Sequence, residues 1–92
     1  MNRISRLRQQ LHRHNLSNFF VSHLPNVRYL CGFTGSTGVL IITPRKARFI
    51  SDFRYQEQAT EQVHDAEVII YRDDLIGELR RLRFNSFASR ID

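Results

Sequence analysis

Residues Tyr29 to Ile42 read YLCGFTGSTGVLII. Gly32, Gly35 and Gly38 punctuate this stretch between an aromatic-apolar run and a run, Val39 to Ile42, that is apolar at every position. A strand buried on both faces has that continuous pattern, so Gly38 to Thr43 is expected to be a central strand. The glycines are then loop residues rooted on it, because glycine lets backbone turn where a side chain would clash. Asn26 is expected to cap one short helical turn carrying Val27, Tyr29 and Leu30, ended by Gly32.

Outward from this stretch, the periodicity predicts a helix over Asn2 to Asn15. Ile4, Leu7 and Leu11 recur at three- and four-residue steps among Arg3, Arg6, Arg8, Gln10 and Arg13. Asn18 to Ser22 reads as a short strand and Leu24-Pro25-Asn26 as a turn. Pro44-Arg45-Lys46 turns the chain into a hairpin partner, Ala47 to Ile50. Asp52 is expected to cap a helix from about Phe53 to Val63, followed by a strand over Glu67 to Tyr71. Asp73 or Asp74 caps a last helix whose apolar side carries Leu75, Ile76, Leu79 and Leu82. Phe84 to Asp92 has strand character, and the reading predicts a domain cut within its final strands. The order implies an α/β fold, a mixed sheet with flanking helices.

Composition bounds the rest. The chain has 92 residues, 41% apolar and 25% charged, the profile of one globular domain. Its longest aliphatic run falls far short of the roughly 20 apolar residues of a membrane span. Polar residues interrupt any apolar leader, and Cys31 is the single cysteine, so a reducing cytoplasm is expected. Every acid lies at or after Asp52, leaving residues 1–51 at a net charge of +8. A basic half of this kind keeps a stand-alone module binding nucleic acid or a protein partner as the second hypothesis. The nucleic-acid reading ranks lower, because Phe19, Phe20, Phe49 and Tyr71 fall in strand runs rather than among exposed basic residues.

The glycine stretch fails the usual chemical templates. A dinucleotide fingerprint or P-loop needs a helix directly after its glycines, whereas a strand follows here. A nucleophile elbow needs a strand before its serine and a helix after it, and Ser36 precedes the strand. Cys31 near His23 lacks an orienting third group, so packing is expected for the thiol. His12 and His14 point about 200° apart on a helix, and no His, Cys or carboxylate set has ligand spacing. No catalytic or metal-binding residue is assigned in this chain.

Asn26-Val27-Arg28-Tyr29-Leu30-Cys31-Gly32-Phe33-Thr34-Gly35-Ser36 resembles the N-x-x-Y-L-x-G-F-x-G-S signature of the N-terminal domain of the creatinase/prolidase/aminopeptidase P family. Ser51 to Ala59, SDFRYQEQA, is similar to that family's T-D-x-R-Y-x-x-Q-A segment, and Leu16 to Val21 also fits. The resemblance covers about residues 3–82. It implies that residues 1–92 are an incomplete N-terminal domain lacking the catalytic pita-bread domain. That missing domain would hold two divalent metals, manganese or cobalt, between two Asp, one His and two Glu, and would cleave the bond before proline.

The resemblance further implies a non-catalytic role in oligomer contacts and in walling the substrate cleft. The implied partners are the catalytic C-terminal domain of the same parent, further copies in a dimer or other homo-oligomer, and proline-containing peptides. Phe33, Thr34, Ser36, Thr37 and Arg54 are the candidates for the cleft-facing edge. Tyr29, Gly32, Gly35, Gly38, Asp52 and Tyr55 are read as structural: Asp52 as a helix cap, Tyr55 as a packed ring with its hydroxyl bonded. Arg54 pairs with Asp52 or Glu57, or points into the cleft toward a substrate carboxylate.

Overall fold

The computed structural model describes residues 2–82 and 89–91, the last three as backbone only. Helix α1 spans Arg3–Arg13, capped by Asn2, whose Oδ1 accepts from the Ser5 N–H at 2.8 Å. Its apolar stripe buries Ile4 and Leu11 and half-buries Leu7. Asn15, at φ 57°, turns the chain out of the helix in the left-handed region that Asn tolerates. Strand β1 (Asn18–Val21) follows.

Helix α2 spans Leu24–Cys31. It starts two residues before the expected Asn26 cap, so Leu24-Pro25-Asn26 is its first turn rather than a separate turn. Proline fits there because the first N–H groups of a helix have no intrahelical acceptor to lose. Gly32, at φ 89°, ends the helix, and its N–H donates to the Arg28 carbonyl at 2.9 Å.

Strands β2 (Val39–Ile42) and β3 (Ala47–Asp52) form the expected hairpin, with Val39 opposite Ile50 and Ile42 opposite Ala47. Beyond β3 the expected single helix is two pieces, a 3₁₀ turn over Phe53–Tyr55 and helix α3 over Gln56–Gln62. Tyr55 sits between them at φ −109° and ψ 11°, outside the helical well. Its ring and hydroxyl are engaged with the glycine loop there, and this tertiary demand overrides local helix preference.

Strand β4 (Glu67–Tyr71) runs parallel to β3, and helix α4 (Leu75–Arg81) is capped by Asp74 rather than Asp73. Ile76, expected on the apolar side of α4, is instead exposed. Strand β5 (Ser89–Ile91) pairs parallel with β1. Of the expected segment Phe84 to Asp92, residues 84–88 and 92 lie outside the described residues.

The described strands make one mixed sheet ordered β4-β3-β2-β1-β5. Alternation along each strand divides two cores. Val21, Leu40, Ile42 and Phe49 meet Ile4, Leu11, Val27, Cys31 and Ala59 from α1, α2 and α3 on one face. Val39, Ile41 and Ile50 meet Leu75, Leu79 and Leu82 on the other. The paired layers hold β2 at the centre, with all four of its residues buried, and so fix the root of the glycine loop.

Candidate functional site

The loop between α2 and β2 is built over an aromatic cluster. Phe33 is only 1% exposed, so its side chain belongs to the core rather than to the cleft-facing edge expected of it. Its ring lies 4.4 Å from Phe49 and meets Tyr55 edge-on at 5.7 Å between centroids. Such pairs add about 0.5–1.5 kcal/mol beyond burial. The loop backbone then passes directly over these rings. A Cβ on Gly35 would stand 2.3 Å from Phe33 Cζ, and one on Gly38 would stand 2.5 Å from Phe49 Cζ. Both positions therefore lie where only a hydrogen fits.

Polar contacts fasten the loop from three sides. The Thr34 N–H donates to Gln62 Oε1 at 2.9 Å, and Thr34 Oγ1 accepts from Gln62 Nε2 at 2.8 Å and from Gln58 Nε2 at 3.2 Å. The Ser36 hydroxyl shares a 2.5 Å hydrogen bond with the Tyr55 hydroxyl. Buried Ser51 donates to the Thr37 carbonyl at 2.6 Å. Thr34 and Ser36 remain exposed and Thr37 is half-buried.

Asp52 and Arg54 flank this loop through Tyr55. Asp52 caps the 3₁₀ turn, its Oδ1 accepting from the Arg54 N–H at 3.0 Å. The Arg54 guanidinium also forks onto the Asp52 carboxylate, Nε to Oδ1 at 3.1 Å and Nη2 to Oδ2 at 2.7 Å. Of the sequence alternatives, the pairing with Asp52 is the one formed. The guanidinium lies 5.4 Å from the centroid of the Tyr55 ring, an exposed cation on an aromatic face.

These contacts set the electrostatics. The hydrogen bond from Arg54 holds the Asp52 carboxyl below its ordinary value, and Asp52 in turn raises Arg54. Tyr55 is lowered, chiefly by the Ser36 hydroxyl and further by the Arg54 charge. Burial pushes the Cys31 thiol up, against a smaller lowering by the Phe33 backbone N–H. Cys31 is wholly buried and packs in the core. Ser36 has a phenol as its partner, not the imidazole that activates a serine nucleophile.

Thr34, Ser36, Thr37, Tyr55, Asp52 and Arg54 thus converge on one surface. Tyr29 belongs to another, on α2 beside Arg3. Gln58, Gln62 and Ser51 were missed by sequence reasoning. Gln58 and Gln62 did carry a signal, a pair of amides four apart and so on one helix face. Among the described residues, no group of three or more His, Cys, Asp or Glu is placed to hold a metal ion. The residues here do not fit the two-metal ligand set that the resemblance implies for the catalytic domain. Among the described residues, no helix is long and apolar enough to cross a membrane.

A model of the creatinase/prolidase N-terminal domain matches residues 3–90. The chain belongs to that family. It is 40% identical over 74 residues to the uncharacterized peptidase YqhT of Bacillus subtilis, an alignment covering 80% of this chain and 21% of YqhT. The chain therefore spans about a fifth of that relative's length. Among solved structures, the N-terminal creatinase/prolidase-like domain of a Corynebacterium diphtheriae protein superimposes with a TM-score of 0.74 at 40% identity, over 84% of this chain and 63% of that one. The Xaa-Pro dipeptidase of Bacillus anthracis gives a TM-score of 0.75 at 32% identity, over 87% of this chain and 24% of that one. The mixed sheet with flanking helices expected from the sequence is the fold of these family domains.

Proposed function

We propose that this chain is the non-catalytic N-terminal domain of a cytoplasmic Xaa-Pro peptidase of the aminopeptidase P or prolidase type, and that the surface of Thr34, Ser36, Thr37 and Arg54 forms part of its substrate-cleft wall. The observation that carries this reading is the rigid mounting of an exposed polar loop. Phe33, Phe49 and Tyr55 support it from beneath, and Gln58, Gln62 and Ser51 fasten its backbone and hydroxyls. A wall must hold its shape without itself reacting, and restrained donors and acceptors suit the positioning of a peptide. On this reading, the Asp52 carboxylate fixes the Arg54 guanidinium at the wall, and the N–H donors outside that fork can bond a peptide carboxylate or carbonyl. The metals, manganese or cobalt, would belong to the separate catalytic domain of the parent, and the domain would also supply contacts between subunits.

The test is kinetic. In the parent polypeptide, Ser36→Ala and Arg54→Ala are expected to raise KM for a proline-containing peptide more than they lower kcat, because they remove binding contacts and leave the metal chemistry intact. KM values unchanged in both variants would remove this loop from the cleft.

A further inference from the structure

A second surface lies away from the glycine loop. Helices α1 and α2 leave an open groove of about 440 Å³ between them, within the range of small-ligand and side-chain pockets. Its apolar lining is Leu7, Phe19, Leu30 and the exposed ring of Tyr29. Its charge comes from Arg3 and Arg6. Arg3 donates to the Tyr29 carbonyl at 2.8 Å and stacks 4.1 Å above the Tyr29 ring, which fixes the cation at the rim. That bond uses one of five guanidinium donors. Arg8, by contrast, is turned away to the Thr43 carbonyl. The Arg6 guanidinium has no carboxylate within 4 Å among the described residues; the nearby acid, Asp65, lines an adjoining pocket with Arg3 and Arg6 and is held by His64 Nδ1 at 2.7 Å.

We propose that this groove binds an acidic peptide segment bearing a bulky apolar side chain. The apolar residue would enter between α1 and α2, and flanking carboxylates would meet Arg3 and Arg6. Charge complementarity selects the acidic partner, since the groove has cations at its rim and no acid among its described lining residues. The apolar concavity selects a peptide over a nucleic acid. A single-stranded nucleic acid needs open aromatic faces for stacking, and one face of Tyr29 is already covered by Arg3. An anchoring side chain in a pocket with a polar rim is how small protein interfaces concentrate their affinity. The proposal does not rest on the peptidase reading.

The probe is the peptide acetyl-Glu-Glu-Leu-Phe-Glu-Glu-amide, titrated into the ¹⁵N-labelled chain at low salt. Amide shifts are expected to be confined to residues 3–10, 26–30 and Phe19 with its strand neighbours. The Lys-for-Glu peptide is expected to bind at least about tenfold more weakly, as is the original peptide to Arg6→Glu. Arg6 is exposed, and a retained amide spectrum shows that the variant still folds; Arg6→Gln, which removes charge without reversing it, is expected to fall between. Absence of groove shifts up to ~1 mM peptide overturns the proposal. So does equal binding of the Lys peptide, or binding indifferent to Arg6→Glu. Displacement of the probe by a dT oligonucleotide or by an all-Glu peptide at equal concentration also overturns it, by showing that charge alone is recognised.

Discussion

Replacing Gly38 with Ala tests whether the loop is shaped by the rings beneath it. The added methyl would stand 2.5 Å from Phe49 Cζ, 2.6 Å from Cε1 and 3.3 Å from Phe33 Cε2. Carbon atoms pack at about 3.5–4.0 Å, so the Phe49 ring must retreat by about 1 Å. Phe49 is wholly buried, and Phe33 stands 4.4 Å from it, leaving little room for that retreat. Overpacking of this kind costs about 1–3 kcal/mol. Ala recovers about 0.4–1 kcal/mol by restricting the unfolded chain. Gly38 is not left-handed, so no backbone strain is added.

Taking the middle of both ranges, the expected net loss for Gly38→Ala is about 1.3 kcal/mol, or about 5–10 °C in Tm for a domain of this size. Thermal and urea unfolding would measure it. Phe49→Leu removes the two atoms that collide, so the double variant should lose at least about 0.5 kcal/mol less than the sum of the single changes. A neutral or stabilising Gly38→Ala, or strict additivity with Phe49→Leu, would refute the close-approach account of this glycine.

The Cys31 thiol, buried and pushed up, should react with Ellman's reagent at least about 100-fold more slowly in the native chain than in denaturant, because reaction requires opening. Rapid labelling with Ellman's reagent under native conditions would contradict that placement. Acid should destabilise the fold through Asp52 and Glu78, both held below their ordinary values by hydrogen bonds from Arg54 and Arg81. Each contributes stability present above its unfolded value, about 3.9 for Asp and 4.3 for Glu, and lost as pH falls through the lower folded value. Asp52→Asn with Glu78→Gln should therefore flatten the decline of Tm below about pH 4; an unchanged decline would assign acid sensitivity elsewhere.

Much of this architecture was legible because periodicity reports burial directly. VLII marked the central strand, the spacing of Ile4, Leu7 and Leu11 marked α1, and Asn2 and Asn15 marked its ends. Most of the misreadings share a cause, the choice of long-range contacts over local preference; that of Pro25 is local, since a missing N–H costs nothing in a first helical turn. Pro25 read as a turn yet occupies the first turn of α2. Tyr55 lay within a helical pattern but leaves it to reach Ser36 and Phe33. Phe33 sat among polar loop residues, and only the position of Phe49 in the fold shows that its ring turns inward. Gln58 and Gln62 were visible as one helix face, while their partner Thr34 lies 24 and 28 residues earlier in the chain. No local pattern predicts such a pairing.

The central claim is that the glycine-punctuated loop shapes a wall and performs no chemistry of its own. The most direct measurement is hydrolysis of a proline-containing dipeptide by the purified 92-residue chain, with manganese or cobalt supplied and no other polypeptide present. The expected rate is that of buffer and metal alone. Turnover that scales with chain concentration and disappears in Ser36→Ala would contradict the account.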